Sequence, residues 1–214
     1  SKLQEIFESG TKAVTLEISP PKGTDMTVCL RHIKAVVDSN KVHAINIPDS
    51  QRALLKMSSM ACSKIVQDEL GIETVWQITT RDRNVLALQA DLMGAWAMGI
   101  KNVLALTGDP VKIGDQADVA KQVSHIDSLR LLEIIKGLNE DLDANGEILK
   151  KSGSRFFTGA ALNPHRMSRL AQLHRLEYKI RSGVQFFQTQ PVYDLKVILE
   201  SRESIRTICE KYNL

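Results

Sequence analysis

Residues 13–23 read AVTLEISPPKG, and this segment distinguishes between two folds that the rest of the chain allows. Its first seven residues form a short β-branched run that predicts a strand, which two prolines end. In an open doubly wound sheet, a glycine-rich turn follows the first strand and offers backbone N–H groups to phosphate. Pro20 and Pro21 have no N–H group to offer, so the segment argues against a dinucleotide-binding sheet of this type.

The whole chain alternates strand and helix patterns six times. The predicted strands cover residues 13–19, 42–47, 74–79, 102–106, 156–162 and 184–190. The predicted helices cover residues 26–39, 52–70, 84–98, 127–138, 169–181 and 195–212. Apolar strands that each precede a helix indicate a parallel sheet covered on both faces. We therefore predict an α/β fold of the (β/α)8 TIM-barrel type, with residues 1–214 as one domain that lacks the last two β/α units.

The composition is that of an ordinary globular protein. Hydrophobic residues make up 43% of the chain and charged residues 25%, and 28 Lys+Arg against 25 Asp+Glu give a net charge of +3. So small an excess argues against a dedicated nucleic-acid binder. No apolar run reaches ~18 residues, and residues 1–10 read as the start of a helix rather than a signal peptide. A cytoplasmic protein without membrane contact is the expectation.

The three cysteines predict no metal site. Cys29, Cys62 and Cys209 lie far apart in helical stretches, without a CxxC or Cys/His cluster. We expect reduced thiols, as in a cytosolic protein.

Candidate functional residues lie where the predicted strands end, because a parallel barrel carries its site at the carboxyl ends of the strands. Glu17 lies inside the first apolar strand, just before the double proline. We expect its carboxylate either to be paired or to sit where burial favours the neutral form, which suits a general acid. The alternative is a strand-end glutamate that only bonds its neighbours.

Asp109, Gln188, Gln190 and His165 follow later strands in the motifs TGDP, QTQP and NPH. A glutamine amide offers both a donor and an acceptor, which suits the edge of a heterocycle. Each of these residues also has a structural alternative, such as an aspartate that caps a turn before proline. The residues 81–83, Arg-Asp-Arg, read as a solvated loop with an ion pair. Physical chemistry alone predicts a barrel enzyme with acidic and amide groups around a polar ligand.

Four segments add a family resemblance. They are LEISPP at 16–21, ALTGDP at 105–110, GAALNPH at 159–165, and QFFQTQPVYD at 185–194 preceded by Lys179 and Gly183. In this order, over residues 13–194, they resemble the methylenetetrahydrofolate reductase family, flavin-dependent (β/α)8 enzymes of one-carbon metabolism.

The resemblance implies a reaction and three roles. The expected reaction reduces 5,10-methylenetetrahydrofolate to 5-methyltetrahydrofolate with NAD(P)H, which serves methionine biosynthesis. Glu17 corresponds to the general acid that opens the methylene bridge of the folate. Asp109 corresponds to the aspartate that faces both flavin and pterin, and Gln190 to the glutamine that binds the pterin.

The resemblance also implies a flavin site, with FAD expected and FMN as the alternative. Lys179 would suit the diphosphate, and Ser124 and His125 the ribityl-phosphate region. The full set of implied cofactor contacts is Gln77, Thr107, Gly108, Asp109, Ser124, His125, Leu162, His165 and Lys179. Better-known bacterial members carry His at Gln77, Arg at Thr107 and an aromatic residue at Leu162, so the mode of flavin binding stays open.

Two other functions remain as alternatives. One is a flavin-free folate-binding or scaffolding subunit of a one-carbon enzyme complex, which the three departures favour. The other is a barrel methyltransferase that acts on a pterin and would hold a corrinoid or zinc. The expected partners are a folate and a nicotinamide, with a second copy of the chain or an accessory electron-transfer subunit left open. NADH, NADPH and a ferredoxin-linked protein are the candidate electron donors.

Overall fold

A computed structural model of the chain describes residues 1–150, 153–166 and 170–213. The strands in these residues are Thr15–Glu17 (β1), Ala44–Ile47 (β2), Glu73–Thr79 (β3), Asn102–Leu106 (β4), Phe157–Leu162 (β5) and Phe186–Thr189 (β6). The helices are Lys2–Glu8 (α1), Thr27–Val37 (α2), Ser59–Leu70 (α3), Val85–Ala97 (α4), Ser128–Asn139 (α5), Leu170–Arg181 (α6) and Leu195–Tyr212 (α7). Short 3₁₀ turns cover Gln51–Ala53, Val111–Ile113 and Pro164–Arg166.

The six strands form one parallel sheet in the order β1-β2-β3-β4-β5-β6. Thr15 pairs with Ala44, and Ala44 pairs in turn with Glu73. Every strand therefore lies beside its neighbour in sequence, whereas the order of a doubly wound sheet reverses part of the way across. The expected parallel α/β fold is confirmed.

The sheet curls into a half-barrel. Ala44 of β2 and Phe186 of β6 belong to the same buried apolar cluster, although three strands separate them in the sheet. Val75, Leu104 and Phe157 complete the inner side of this cluster. A flat sheet would hold β2 and β6 far apart, because neighbouring strands are ~4.8 Å from each other. Among the described strands, β1 and β6 have no pairing with each other.

Helix α1 closes the amino-terminal end of the half-barrel. Leu3 is 1% exposed and packs in the inner cluster, and the ring of Phe7 lies edge-on to that of Phe157 at 5.5 Å. The carboxylate of Glu73 accepts hydrogen bonds from the N–H groups of Lys2 and Leu3 at 2.9 and 3.0 Å. This satisfies two N–H groups that the first turn of a helix leaves without a partner. The sequence predicted a helix here but not its place beneath the sheet.

The outer face of the sheet packs under the helices. Trp76 and Ile78 of β3 are fully buried against Leu88 and Leu92 of α4. Burial of such side chains stabilises the fold by roughly 1.5–3 kcal/mol each. The carboxyl ends of the strands, which lie away from α1, carry the candidate site.

Two predicted boundaries differ from the structure. The predicted helix 52–70 begins only at Ser59, because Arg52 and Ala53 have left-handed backbone and the side chain of Ser58 caps the helix by accepting from the N–H of Ala61. The predicted strand 13–19 pairs as a strand only over 15–17. Residue 169, the predicted start of the fifth predicted helix, lies outside the described residues. None of the described helices is long and apolar enough to cross a membrane.

Candidate functional site

Two adjoining cavities open at the carboxyl ends of the strands. The larger has a volume of about 580 Å³ and the smaller about 260 Å³. Gln51, Gln77, Leu106 and Gln190 line both cavities, so the two lie side by side, and together they are called the cleft below. Glu17, Ala161 and Gln188 also line the larger cavity. Thr107, Gly108 and Asp109 also line the smaller one.

The cleft residues of β1 and β3 are positioned by the two-residue period of a strand. Leu16 and Ile18 pack outward against the cluster under α2 and α3, which turns Glu17 inward. On β3, Trp76 and Ile78 point outward, which turns Gln77 inward. Both inward side chains line the larger cavity.

Glu17 and Gln77 form a hydrogen bond. Nε2 of Gln77 donates to Oε2 of Glu17 at 3.1 Å. The glutamate is thus paired, which is one of the two arrangements expected from its place in the strand. Its side chain is exposed and lines the larger cavity.

Asp109 follows β4 in a turn that needs glycine. Gly108 has φ of 87°, and a Cβ at this position would lie 3.0 Å from Cβ of Thr79. The carboxylate of Asp109 lines the smaller cavity, and its Oδ2 accepts a hydrogen bond from the N–H of Arg52 at 2.6 Å. Asp109 therefore faces the cleft and also holds a neighbouring loop.

A buried acidic residue, Asp49, lines the smaller cavity of the cleft. Its Oδ2 accepts from N and Oγ1 of Thr79 at 3.1 and 2.9 Å and from Nη1 of Arg83 at 2.7 Å. Ser59 donates to Oδ1 of the same carboxylate at 3.2 Å. Burial alone would lower the pKa of Arg83, but the charges of and hydrogen bonds to Asp49 and Asp91 raise it above its ordinary value. This network fixes the end of β3 beside the cleft.

The prediction of a solvated loop at residues 81–83 is wrong for Arg81. Its side chain is only 3% exposed. Nη2 of Arg81 pairs with Asp82 at 2.6 Å, and Nη1 donates to the carbonyl of Ser50 at 3.1 Å. The pKa of Arg81 is raised chiefly by its hydrogen bonds to Asp82.

Lys179 lies behind the edge of the cleft. Nζ of this residue donates to the carbonyl of Ala161 at 2.5 Å, and Ala161 lines the larger cavity. Burial and the nearby charge of Arg175 lower the pKa of Lys179. No carboxylate of the described residues lies within salt-bridge distance of Nζ of Lys179.

Four other predicted cofactor contacts do not line either cavity. Leu162 points away from the cleft and packs against Leu176 and Ile180 of α6. His125 and His165 are exposed. The N–H of Ser124 donates to the carbonyl of Arg81 at 3.2 Å, which holds the loop before α5 against the loop after β3.

Gln51 is the cleft residue that sequence reasoning missed. It lies in the turn after β2 and lines both cavities. An amide residue shortly after a strand end was the available signal, the same one that singled out Gln190. In the described part of the chain, no group of three His, Cys, Asp or Glu side chains is placed to hold a metal ion.

Several solved structures share this fold. An uncharacterized protein from Clostridium thermocellum that binds two copies of 5-methyl-5,6,7,8-tetrahydrofolic acid matches with a TM-score of 0.63 at 15% identity, over 100% of this chain and 66% of that one. A phosphonopyruvate hydrolase in complex with oxalate and Mg²⁺ matches with a TM-score of 0.58 at 12% identity, over 95% and 67% of the two chains. A putative deoxyribose-phosphate aldolase from Toxoplasma gondii ME49 matches with a TM-score of 0.53 at 13% identity, over 99% and 71%. These likenesses show a shared fold.

The chain thus spans about two thirds of the length of the first of these structures. The sequence itself gives a more specific match. The model of one protein family, described as methylenetetrahydrofolate reductase, covers residues 2–214, which is nearly the entire chain and includes every residue of the cleft. The chain belongs to the methylenetetrahydrofolate reductase family.

Proposed function

We propose that the cleft is the folate site of a flavin-dependent oxidoreductase that reduces 5,10-methylenetetrahydrofolate to 5-methyltetrahydrofolate with electrons from NAD(P)H. Family membership supports this proposal, and so does the structural neighbour from Clostridium thermocellum that binds 5-methyltetrahydrofolic acid. We further propose that the half-barrel corresponds to the first six units of an eight-unit barrel and that residues 1–214 form one domain.

One observation carries the proposal: Glu17, Gln77 and Gln190 line a single cavity of about 580 Å³. That volume is in the range of small-molecule sites, which hold a ligand with a few well-placed polar groups. A carboxyl group and two amides offer the mixture of donors and acceptors that a pterin edge requires. Asp109 lines the adjoining cavity and adds a carboxylate acceptor for the amino group of the pterin.

The role of Glu17 follows from the bonds that the reaction changes. The methylene carbon of the substrate bridges N5 and N10, and its bond to N10 must break. In its protonated form, Glu17 would donate a proton to N10, which leaves the carbon as an iminium on N5. A hydride then adds to this carbon and gives the N5-methyl product. Gln77 holds the carboxyl group of Glu17 by the hydrogen bond at 3.1 Å, so the proton is delivered from a fixed position.

The donor set beside the cleft fits a flavin. Lys179 supplies a cation without a carboxylate partner within salt-bridge distance among the described residues, which suits a diphosphate. Gly108 lets the backbone after β4 pack against Thr79 and Arg81 and places this backbone along the smaller cavity. Thr107, Gly108 and Asp109 would lie along the flavin ring, with FAD as the expected cofactor and FMN as the alternative. When bound, the flavin supplies hydride transfer between NAD(P)H and the folate.

The substitution Glu17→Gln tests this function. The full-length protein is purified, its visible spectrum is recorded, and the two half-reactions are followed separately. We expect the flavin to be reduced by NAD(P)H at the wild-type rate, while folate reduction falls by at least a hundredfold because the proton donor is lost. Glu69→Gln, an exposed change on α3, is the control. Equal loss in both half-reactions would contradict the role of Glu17.

A flavin-free folate-binding subunit is the second candidate, and one observation favours it. The side chain of Leu162 packs beneath α6 instead of facing the cleft, and Gln77 is already bonded to Glu17. At these two departures from better-known relatives, Leu162 therefore offers nothing to a flavin ring, and Nε2 of Gln77 is already used as a donor to Glu17. A purified full-length protein that binds 5-methyltetrahydrofolate but stays colourless with added FAD and FMN would establish this alternative.

A further inference from the structure

Three of the four residues in segment 50–53 have left-handed backbone. The φ angles of Ser50, Arg52 and Ala53 are 47°, 58° and 55°, and none of these residues is glycine. A side chain with a Cβ makes this conformation unfavourable, and residues held in it cluster at functional sites, where the surrounding structure enforces them. Gln51 lies within this segment, which is called the Gln51 turn below.

Two charged side chains hold the Gln51 turn from the side of β3 and β4. Oδ2 of Asp109 accepts from the N–H of Arg52 at 2.6 Å. Nη1 of the buried Arg81 donates to the carbonyl of Ser50 at 3.1 Å. Both bonds are charge-assisted, which makes them stronger than bonds between neutral groups. They fix the carbonyl of Ser50 before Gln51 and the N–H of Arg52 after it.

The loop after β4 also packs against the turn at a position where only glycine fits. A Cβ on Gly114 would lie 2.0 Å from the carbonyl oxygen of Ala53. Asp115 then accepts from the N–H of Leu55 at 2.8 Å and from Lys22 at 2.6 Å. Gly114 itself lines neither cavity of the cleft, so its effect on the cleft passes through the Gln51 turn.

The side chain of Gln51 reaches into the cleft from this turn. It lines both cavities together with Gln77 and Gln190. Oγ of Ser19 lies 3.3 Å from Oε1 of Gln51 and donates to it, which orients the amide. Its Nε2 has no hydrogen-bond partner among the residues that the structure describes.

We infer that Gln51 is a ligand-contact residue of the cleft, donating from Nε2 to an acceptor atom of the folate, and that Asp109 and Gly114 position it through the Gln51 turn. The inference rests on the proposed function for the identity of the ligand. It explains why a left-handed turn is held by two charged side chains and a glycine beside a cavity that already contains Glu17 and Gln190. Asp109 has two roles. Its Oδ2 accepts from the N–H of Arg52 in the turn, and the residue also lines the smaller cavity.

The test measures the affinity of the full-length protein for 5-methyltetrahydrofolate in four single variants. Gln51→Ala removes the amide, and Gln51→Glu replaces its donor by a carboxylate of similar size. We expect both to weaken binding roughly tenfold, the loss of one hydrogen bond. Gly114→Ala should weaken it to a similar extent by displacing the turn. Gly94→Ala, in α4 with no atom outside the adjacent helix backbone within 4 Å of the added Cβ, is the matched control and should bind as the wild type does.

The double variant Gln51→Ala/Gly114→Ala separates positioning from a general loss of stability. If Gly114 acts through Gln51, the double variant binds no more weakly than Gln51→Ala alone, since coupled effects do not add. Wild-type affinity in both Gln51 variants would overturn the inference, whether or not Gly114→Ala folds. Failure of the wild type itself to bind 5-methyltetrahydrofolate would instead overturn the proposed function.

Discussion

Gln77 on β3 donates a hydrogen bond to Glu17 on β1 at 3.1 Å, across the intervening strand β2. The two side chains reach across β2 because both point to the inner side of the half-barrel. It also joins the residue proposed as the proton donor to a position where better-known relatives carry histidine. The pair is therefore the place where the chemistry of this chain can be probed most directly.

The substitution Gln77→Leu should slow folate reduction roughly tenfold, because Glu17 loses the bond that orients it. Flavin reduction by NAD(P)H should be little affected, and stopped-flow absorbance measures both half-reactions. The control is the same change in a Glu17→Gln background, where Gln77→Leu should cost little more. An equal loss in both backgrounds would mean that Gln77 acts on the ligand directly.

The substitution Asp109→Asn should remove one negative charge from the cleft and leave the Gln51 turn in place. An asparagine oxygen can still accept from the N–H of Arg52, as Oδ2 of Asp109 does at 2.6 Å. We expect a higher flavin midpoint potential, since a nearby carboxylate disfavours the negative charge of reduced flavin, and weaker folate binding. Potentiometry and titration measure the two effects.

The substitution Asp109→Ala serves as the comparison, because it also removes the acceptor for Arg52. It should weaken folate binding more than Asp109→Asn does. The flavin midpoint potential should be the same in both variants, because each lacks the carboxylate charge. An Asp109→Asn protein with wild-type potential and affinity but a much lower Tm would identify Asp109 as a turn residue only.

The parallel sheet and part of the cleft could be predicted from the sequence. Strands that are apolar throughout indicate a parallel sheet, and the carboxyl ends of its strands must meet at one edge. That rule alone brings Glu17, Asp109 and Gln190 to the same edge, where the structure places all three in the cleft. The position of Leu162 was also open to prediction, because Ala161 faces the cleft and the next residue of a strand faces away.

The Gln51 turn could not be predicted in the same way. Its left-handed residues are Ser50, Arg52 and Ala53, and nothing in their side chains favours that backbone. The conformation depends on Asp109, Arg81 and Gly114, which lie 28 or more positions further along the chain. The packing of Leu3 beneath the sheet is likewise a tertiary effect, because a short helix with one buried residue has no periodic signal of its own.

The substitution Asp49→Ala should destabilise the fold by about 3–5 kcal/mol, since it leaves the partly buried Arg83 without one of its two carboxylate partners. Thr79 would also lose the acceptor for its N–H and hydroxyl. Urea denaturation followed by circular dichroism measures the free energy of unfolding. Asp68→Ala removes a carboxylate that pairs with Lys64 on the surface of α3 and should cost less than about 1 kcal/mol. Similar losses in the two variants would show that the Asp49 network is not a structural support of the cleft.

The affinity for FAD should fall as the pH rises, and Lys179 determines where the fall begins. Burial and the charge of Arg175 lower the pKa of this lysine in the free protein, whereas a bound diphosphate would raise it. Below the pKa of the free protein the lysine is charged in both states, and the affinity does not change with pH. Above that value the free lysine is neutral and binding must take up a proton, so the affinity decreases with rising pH until the pKa of the bound state is passed.

Two variants test this assignment, with the FAD dissociation constant measured by fluorescence between neutral and alkaline pH. Lys179→Arg keeps its charge throughout this range, so its affinity should show no such decrease. Lys179→Met should bind FAD at least tenfold more weakly at neutral pH, because the charge-assisted bond to the diphosphate is lost. Its affinity should also be flat, since no group titrates at this position. A Lys179→Met protein with the affinity and pH profile of the wild type would remove Lys179 from the flavin site.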